Sequence, residues 1–80
     1  MARKITIRMD KEEILDALRL IKRLSCIPDQ LEAAIEYALF YANSEEQRKI
    51  TFIQELLRGL ASGTVELSFD IYKTYRELSA

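Results

Sequence analysis

Ile5, Ile7 and Met9 alternate with Lys4, Thr6 and Arg8, and a period of two predicts a short strand with one apolar and one basic face. The period then changes. From Lys11 to Leu24 the residues Ile14, Ala17, Leu18, Ile21 and Leu24 recur at steps of three and four, with Leu15 and Leu20 widening the stripe, which predicts an amphipathic helix. Asp10 and Glu13 have the spacing of an N-cap and its third-residue partner, while Lys22 and Arg23 stand where a cation favours the C-terminal end of the dipole.

Pro28 disfavours helical geometry at Ile27 and stops the first helix. A second helix is expected from near Asp29, with Asp29 and Glu32 repeating the cap spacing or Pro28 at the first helical position. Leu31, Ala34, Ile35, Ala38, Leu39 and Ala42 form its stripe. Tyr37, Phe40 and Tyr41 add apolar surface on other faces, so this helix is expected to be more enclosed than the first and to centre a core or dimer interface. Asn43 is expected to end it. Ser44 and Gln47 read as a capping box for a third helix carrying Ile50, Ile53, Leu56, Leu57 and Leu60, with Phe52 to one side and Gly63 as a left-handed cap. Val65, Leu67, Phe69 and Ile71 alternate with polar residues, whereas Leu67, Ile71, Tyr75 and Leu78 fit a helical step. The β-branched and aromatic content favours an extended segment over 64–72, closed by a helical turn or two over 73–79.

An 80-residue chain with 49% hydrophobic and 31% charged residues is expected to fold as an ordered unit. Its core is marginal at this length, which favours oligomerisation. The absence of His and the single cysteine, Cys26, argue against a zinc site or an internal disulfide and fit a reducing, cytoplasmic setting. The longest apolar run, Tyr37 to Ala42, is too short to span a bilayer, and the N-terminus lacks a signal-peptide pattern, so a soluble, unprocessed protein is expected. The net charge of −1 conceals a split: residues 1–24 hold seven basic and four acidic residues, and residues 25–80 hold five basic and nine acidic. The two ends could therefore meet different partners.

The order of strand and two helices, carried by R-K-I-T-I-R-M-D and E-I-L-D-A-L-R-L-I, resembles the ribbon-helix-helix superfamily of the MetJ/Arc type over residues 3–42. The resemblance implies a mainly α fold: a β-α-α homodimer whose paired strands lie in the DNA major groove, followed by an additional helix and an extended or partly helical tail. Lys4, Thr6 and Arg8 would read bases and Arg3 would serve nearby phosphates. The turn S-C-I-P-D-Q departs from the family's Gly-containing turn and places Asp29 where a phosphate would sit. After residue 43, S-E-E-Q-R-K, F-I-Q-E-L-L-R-G-L-A-S-G and S-F-D-I-Y look like the C-terminal half of ParD-type antitoxins. This second likeness implies a DNA-binding and dimerisation domain over 1–43 and a partner-binding extension over 44–80. Ile53, Leu56, Leu57, Leu60, Phe69 and Ile71 would anchor a toxin.

The implied function is that of a cytoplasmic repressor of its own operon, an antitoxin binding operator DNA and a toxin protein. Each feature also has a plainer explanation. The basic strand reads equally as a solvated edge, Cys26 as a turn or core residue, and Glu12-Glu13 and Glu45-Glu46 as first-turn complements to helix dipoles. The aromatic cluster suits a core or interface better than a base-stacking platform. No catalytic constellation and no cofactor loop are legible, so an enzyme is not expected. A rival reading is a small acidic adaptor or inhibitor, of viral or plasmid type, with a β-α-α-α-β fold in which Ile5–Met9 pairs with Val65–Ile71 and DNA is never touched.

Overall fold

The stripe of Ile14, Ala17, Leu18, Leu20 and Ile21 lies along one side of α1 (Lys11–Ser25) and is wholly buried. The computed structural model describes residues 5–6, 11–27 and 29–78. Besides α1 they form β1 (Ile5–Thr6), α2 (Leu31–Tyr41), α3 (Ser44–Ser62), β2 (Val65–Glu66) and α4 (Ile71–Glu77). The helix α1 packs on α2, α3 and α4, α2 packs on α3, and β2 lies against α3. Leu31, Ala34, Ile35 and Ala38 of α2 meet Ile50, Ile53, Leu56 and Leu57 of α3, and Ile71 and Tyr75 of α4 complete the same core. Residues on both sides of the expected boundary at 43 and 44 thus share one apolar interior.

The ribbon-helix-helix architecture is not the fold of this chain. Its strand pairs with a second copy, whereas β1 pairs in parallel with β2 of its own chain, Ile5 opposite Val65 and Thr6 opposite Glu66. The physical reason lies in α3 and α4, whose apolar faces close over α1 and α2 and bring residue 65 back beside residue 5. The in-chain pairing is the one the adaptor reading expected. Among the described residues it covers Ile5–Thr6 and Val65–Glu66, and Ile71 belongs to a helix. Asp10, Ile7, Met9 and Pro28, to which the cap, strand-face and break readings were assigned, lie outside the described residues.

Local chemistry moves several boundaries. The helix α1 ends where Cys26 takes a left-handed conformation, φ 57°, and donates its N–H to Lys22 O at 3.1 Å. The helix α2 begins at Leu31, two residues after Asp29, with Gln30 at the N-cap making no side-chain cap bond. Asn43 does not end α2 but opens α3. Its Oδ1 accepts from Glu46 N at 2.8 Å while Glu46 Oε1 accepts from Asn43 N at 3.1 Å, a complete capping box one residue earlier than the expected Ser44–Gln47 pair. Gln47 instead turns back and donates to Leu39 O and Ala42 O at the end of α2.

At the other end of α3, Gly63 adopts φ 79° as expected. Gly63 N donates to Leu60 O and Thr64 N to Gly59 O, the paired bonds of a Schellman ending. The chain then doubles back so tightly that a Cβ on Gly59 would lie 2.3 Å from Val65 Cγ2. The expected extended segment over 64–72 reduces to Val65–Glu66, because Asp70 Oδ1 accepts from Tyr72 N and Lys73 N and starts α4. Ile71 and Tyr75, four residues apart on α4, are then buried on one face, while Tyr72 and Lys73 between them are exposed.

Candidate functional site

The residues assigned to DNA divide in two. Arg3, Lys4 and Arg8 lie outside the described residues, and Thr6 stands in β1 opposite Glu66. Of the residues assigned to a toxin, Ile53, Leu56, Leu57 and Ile71 are buried, and Leu60 and Phe69 are half-buried against the same core. Phe69 carries Lys11 Nζ over its ring, 4.9 Å from the centroid. These side chains pack against the chain's own core.

Among the described residues, three of the four exposed large apolar side chains stand on α2 and the fourth, Tyr72, on α4. The α2 stripe of Leu31, Ala34, Ile35 and Ala38 faces inward with at most 3% exposure, which rotates Tyr37, Phe40 and Tyr41 to the outside at 55%, 82% and 64%. Their spacing of three and four residues places all three on one helical face. The helix is therefore not more enclosed than α1, contrary to the expectation. The Phe40 and Tyr41 rings meet edge to face, 5.2 Å between centroids with planes at 74°, the favoured arrangement of two aromatic quadrupoles. Glu36 lines the same shallow depression as the three rings. Taking about 200 Å² for a fully exposed ring side chain, these exposures leave roughly 400 Å² open, the size of the largest patch on an ordinary monomer.

Two other surface depressions are chemically mixed. Arg19, Arg23 and Lys49 share one with Asp16 and Glu46, and Arg19 is already paired with Asp16 at 3.3 Å. Another, between α2 and α3, is bordered by Glu32, Glu36, Arg58 and Tyr72. Tyr72 Oη donates to Glu32 Oε1 at 3.1 Å, and burial followed by this bond pushes the Tyr72 phenol above its ordinary range. Neither depression joins a nucleophile to a base.

The buried polar chemistry serves the fold. Lys22 is 7% exposed, and its ammonium donates to Tyr75 O at 2.6 Å, to Arg76 O at 3.3 Å and to Leu78 O. These carbonyls lie at the end of α4, where helical partners run out; Tyr75 O also accepts from Leu78 N at 3.3 Å. The same Nζ stands 4.9 Å from the centre of the Tyr75 ring. Tyr75 Oη donates to Ile27 O, and burial raises the Tyr75 phenol as well. One cation and one phenol thereby tie α4 to the end of α1.

Sequence reasoning found the three aromatics but assigned them to an enclosed helix. The signal that could have placed them outside is the stripe of Leu31, Ala34, Ile35 and Ala38, which already fills the inward face. Cys26 is exposed, in the turn after α1. Among the described residues no group of three or more His, Cys, Asp or Glu is placed to hold a metal ion, and no helix is long and apolar enough to cross a membrane. The chain matches no protein-family model, no curated protein and no solved structure.

Proposed function

We propose that this chain is a non-catalytic protein-binding module that docks a partner through the outer face of α2. One observation carries the reading: Tyr37, Phe40 and Tyr41 stand together in solvent on a helix whose opposite side is packed to completion. Core packing cannot explain them, because α2 already supplies its full stripe to the interior. Tyr and other aromatic residues are enriched at the centres of protein interfaces, where a rigid ring gives a large contact at small entropic cost. A chain without His and with one exposed Cys supports a binding role over catalysis.

The repressor reading needs a two-chain ribbon with Lys4, Thr6 and Arg8 on its outer face. Here Thr6 stands in a ladder with Glu66 of the same chain, so that reading has lost its scaffold and is not the one proposed.

The test places a photo-activatable benzoyl-phenylalanine at position 40 and, as a control, at the exposed position 12 on α1. Irradiation in the native host is expected to give a discrete protein adduct from position 40 alone. The adduct is identified and purified, and its titration with Phe40→Ser is expected to show affinity at least about tenfold weaker. Equal adducts from both positions would overturn the reading. So would a mobility shift on the chain's own upstream DNA that Arg8→Ala abolishes and Phe40→Ser leaves intact.

A further inference from the structure

The charge carried by α2 and its flanking segments is one-sided. From Leu24 to Gln47 the chain carries Asp29, Glu32, Glu36, Glu45 and Glu46 and no Lys or Arg. Arg58 of α3 borders the neighbouring depression of Glu32 and Glu36 but is paired with Glu55 at 3.2 Å, and Glu36 is the one charged residue lining the depression of the three rings. Two of the other aromatic rings already hold a cation from this chain, Lys11 over Phe69 and Lys22 over Tyr75, each at 4.9 Å. Tyr37, Phe40 and Tyr41 offer the same ring chemistry to solvent beside the Glu36 carboxylate.

We infer that the α2 face receives a Lys or Arg side chain from a basic segment of the partner, seated among the rings of Tyr37, Phe40 and Tyr41 and drawn by Glu36. The inference rests on the docking role proposed above and names the chemistry of the occupant. The negative face of an aromatic ring attracts a cation directly, and most strongly when the site is closed off from water. The surrounding carboxylates add attraction at longer range, raising the rate of encounter with a basic segment and repelling an acidic one.

A second copy of the chain is a poorer occupant on two counts. A two-fold contact centred on this face sets each acidic stretch against its own copy, and like charges across an interface are costly. The roughly 400 Å² of open ring surface is also about half of what each side of a standard stable interface covers.

The experiment uses the full chain with isotopically labelled aromatic rings and three soluble, alanine-rich helical peptides that differ only in carrying Lys, Gln or Glu at four equivalent positions. The Lys peptide is expected to shift the ring resonances of Tyr37, Phe40 and Tyr41 to saturation while leaving those of buried Tyr75 in place. The Gln peptide is expected to bind about fivefold more weakly and the Glu peptide not at all. Glu36→Gln, and separately Phe40→Leu, should each reduce affinity for the Lys peptide about threefold. Neither variant threatens folding, because both side chains are exposed. Affinity should fall as salt rises from about 50 to 300 mM.

Equal binding of the Lys and Gln peptides overturns the inference, as does the absence of binding by all three. If position 40 still gives its protein adduct in either case, the docking role stands and only the cationic occupant falls. If the adduct is missing too, both fall together.

Discussion

Removing the Lys22 ammonium while keeping its stem, as in Lys22→Met, tests how α4 is held. The loss is concentrated at the end of α4: Tyr75 O is buried at its bond with Lys22, whereas Arg76 O and Leu78 O are part-buried and can take up water. Tyr75 O keeps the bond from Leu78 N at 3.3 Å, so the loss is that of a charge-assisted bond, about 1.5–3 kcal/mol, and the favourable placement of a cation at a helix C-terminus adds up to about 2 kcal/mol. Against these stands the cost of holding an ammonium out of water, several kcal/mol, which the variant no longer bears. The expected balance is a loss of about 2 kcal/mol, from a total that for a chain of this length is about 4–12 kcal/mol. With a urea dependence of about 1 kcal/mol per molar, the unfolding midpoint should drop by about 2 M. Hydrogen exchange should locate the effect, with the amides of Thr74, Tyr75 and Leu78 losing protection before those of α3. A midpoint within about 0.5 M of the parent would refute the reasoning, since the cost of burying the charge would then cancel all that its bonds contribute.

Three further outcomes follow from the local chemistry. Asn43→Ala should cost about 1 kcal/mol by breaking the capping box of α3, while Ser44→Ala should stay within about 0.5 kcal/mol; equal effects in thermal unfolding would contradict the assignment of the cap. Gly63→Ala meets only the backbone penalty of a left-handed residue, about 1–2 kcal/mol, because nothing lies within 4 Å of the added Cβ. Gly59→Ala collides with Val65 and should destabilise more, with signals of β2 displaced in the amide spectrum; the reverse order would count against the close packing of β2 on α3. Finally, the phenols of Tyr72 and Tyr75 both titrate above their ordinary value of 10.0, with burial the leading cause. A folded value above the unfolded one means that stability is fully present below about pH 10 and is lost as pH rises through the folded value. Replacing both tyrosines with Phe should flatten that alkaline decline in Tm, and an unchanged slope would oppose the assignment.

What could be read from the chain depended on whether a local pattern had a local cause. The stripe of α1 and the left-handed Gly63 were legible because periodicity and the missing Cβ act within a few residues. Asn43 was misread because it satisfies the signature of a helix end as well as that of a helix start. What decides between them is Gln47 reaching back to Leu39 O and Ala42 O and releasing Asn43 to serve α3. The alternation of Val65, Leu67, Phe69 and Ile71 was a true strand signal overruled at a distance. Ile71 and Tyr75 gain a core to enter, and the Lys22 ammonium arrives from 53 residues away to close their helix. The ribbon was the largest misreading, since a lone strand looks as though it must seek a second chain until α3 is known to bring Val65 beside it. The candidate site was the least legible part: Phe40 is an interior residue by composition, and it turns outward because Leu31, Ala34, Ile35 and Ala38 fill the inward face of its helix.

The parallel ladder also bears on how the chain is made. Ile5 and Thr6 are synthesised 60 residues ahead of their partners, Val65 and Glu66. The packing of α1, α2 and α3 can begin while translation continues. The first strand must wait until Val65 and Glu66 have left the ribosome, and closing so distant a contact is the slow kind of step. Until then the N-terminal segment is a strand edge without a mate, so a chain halted before residue 65 is the form most exposed to pairing with another of its kind.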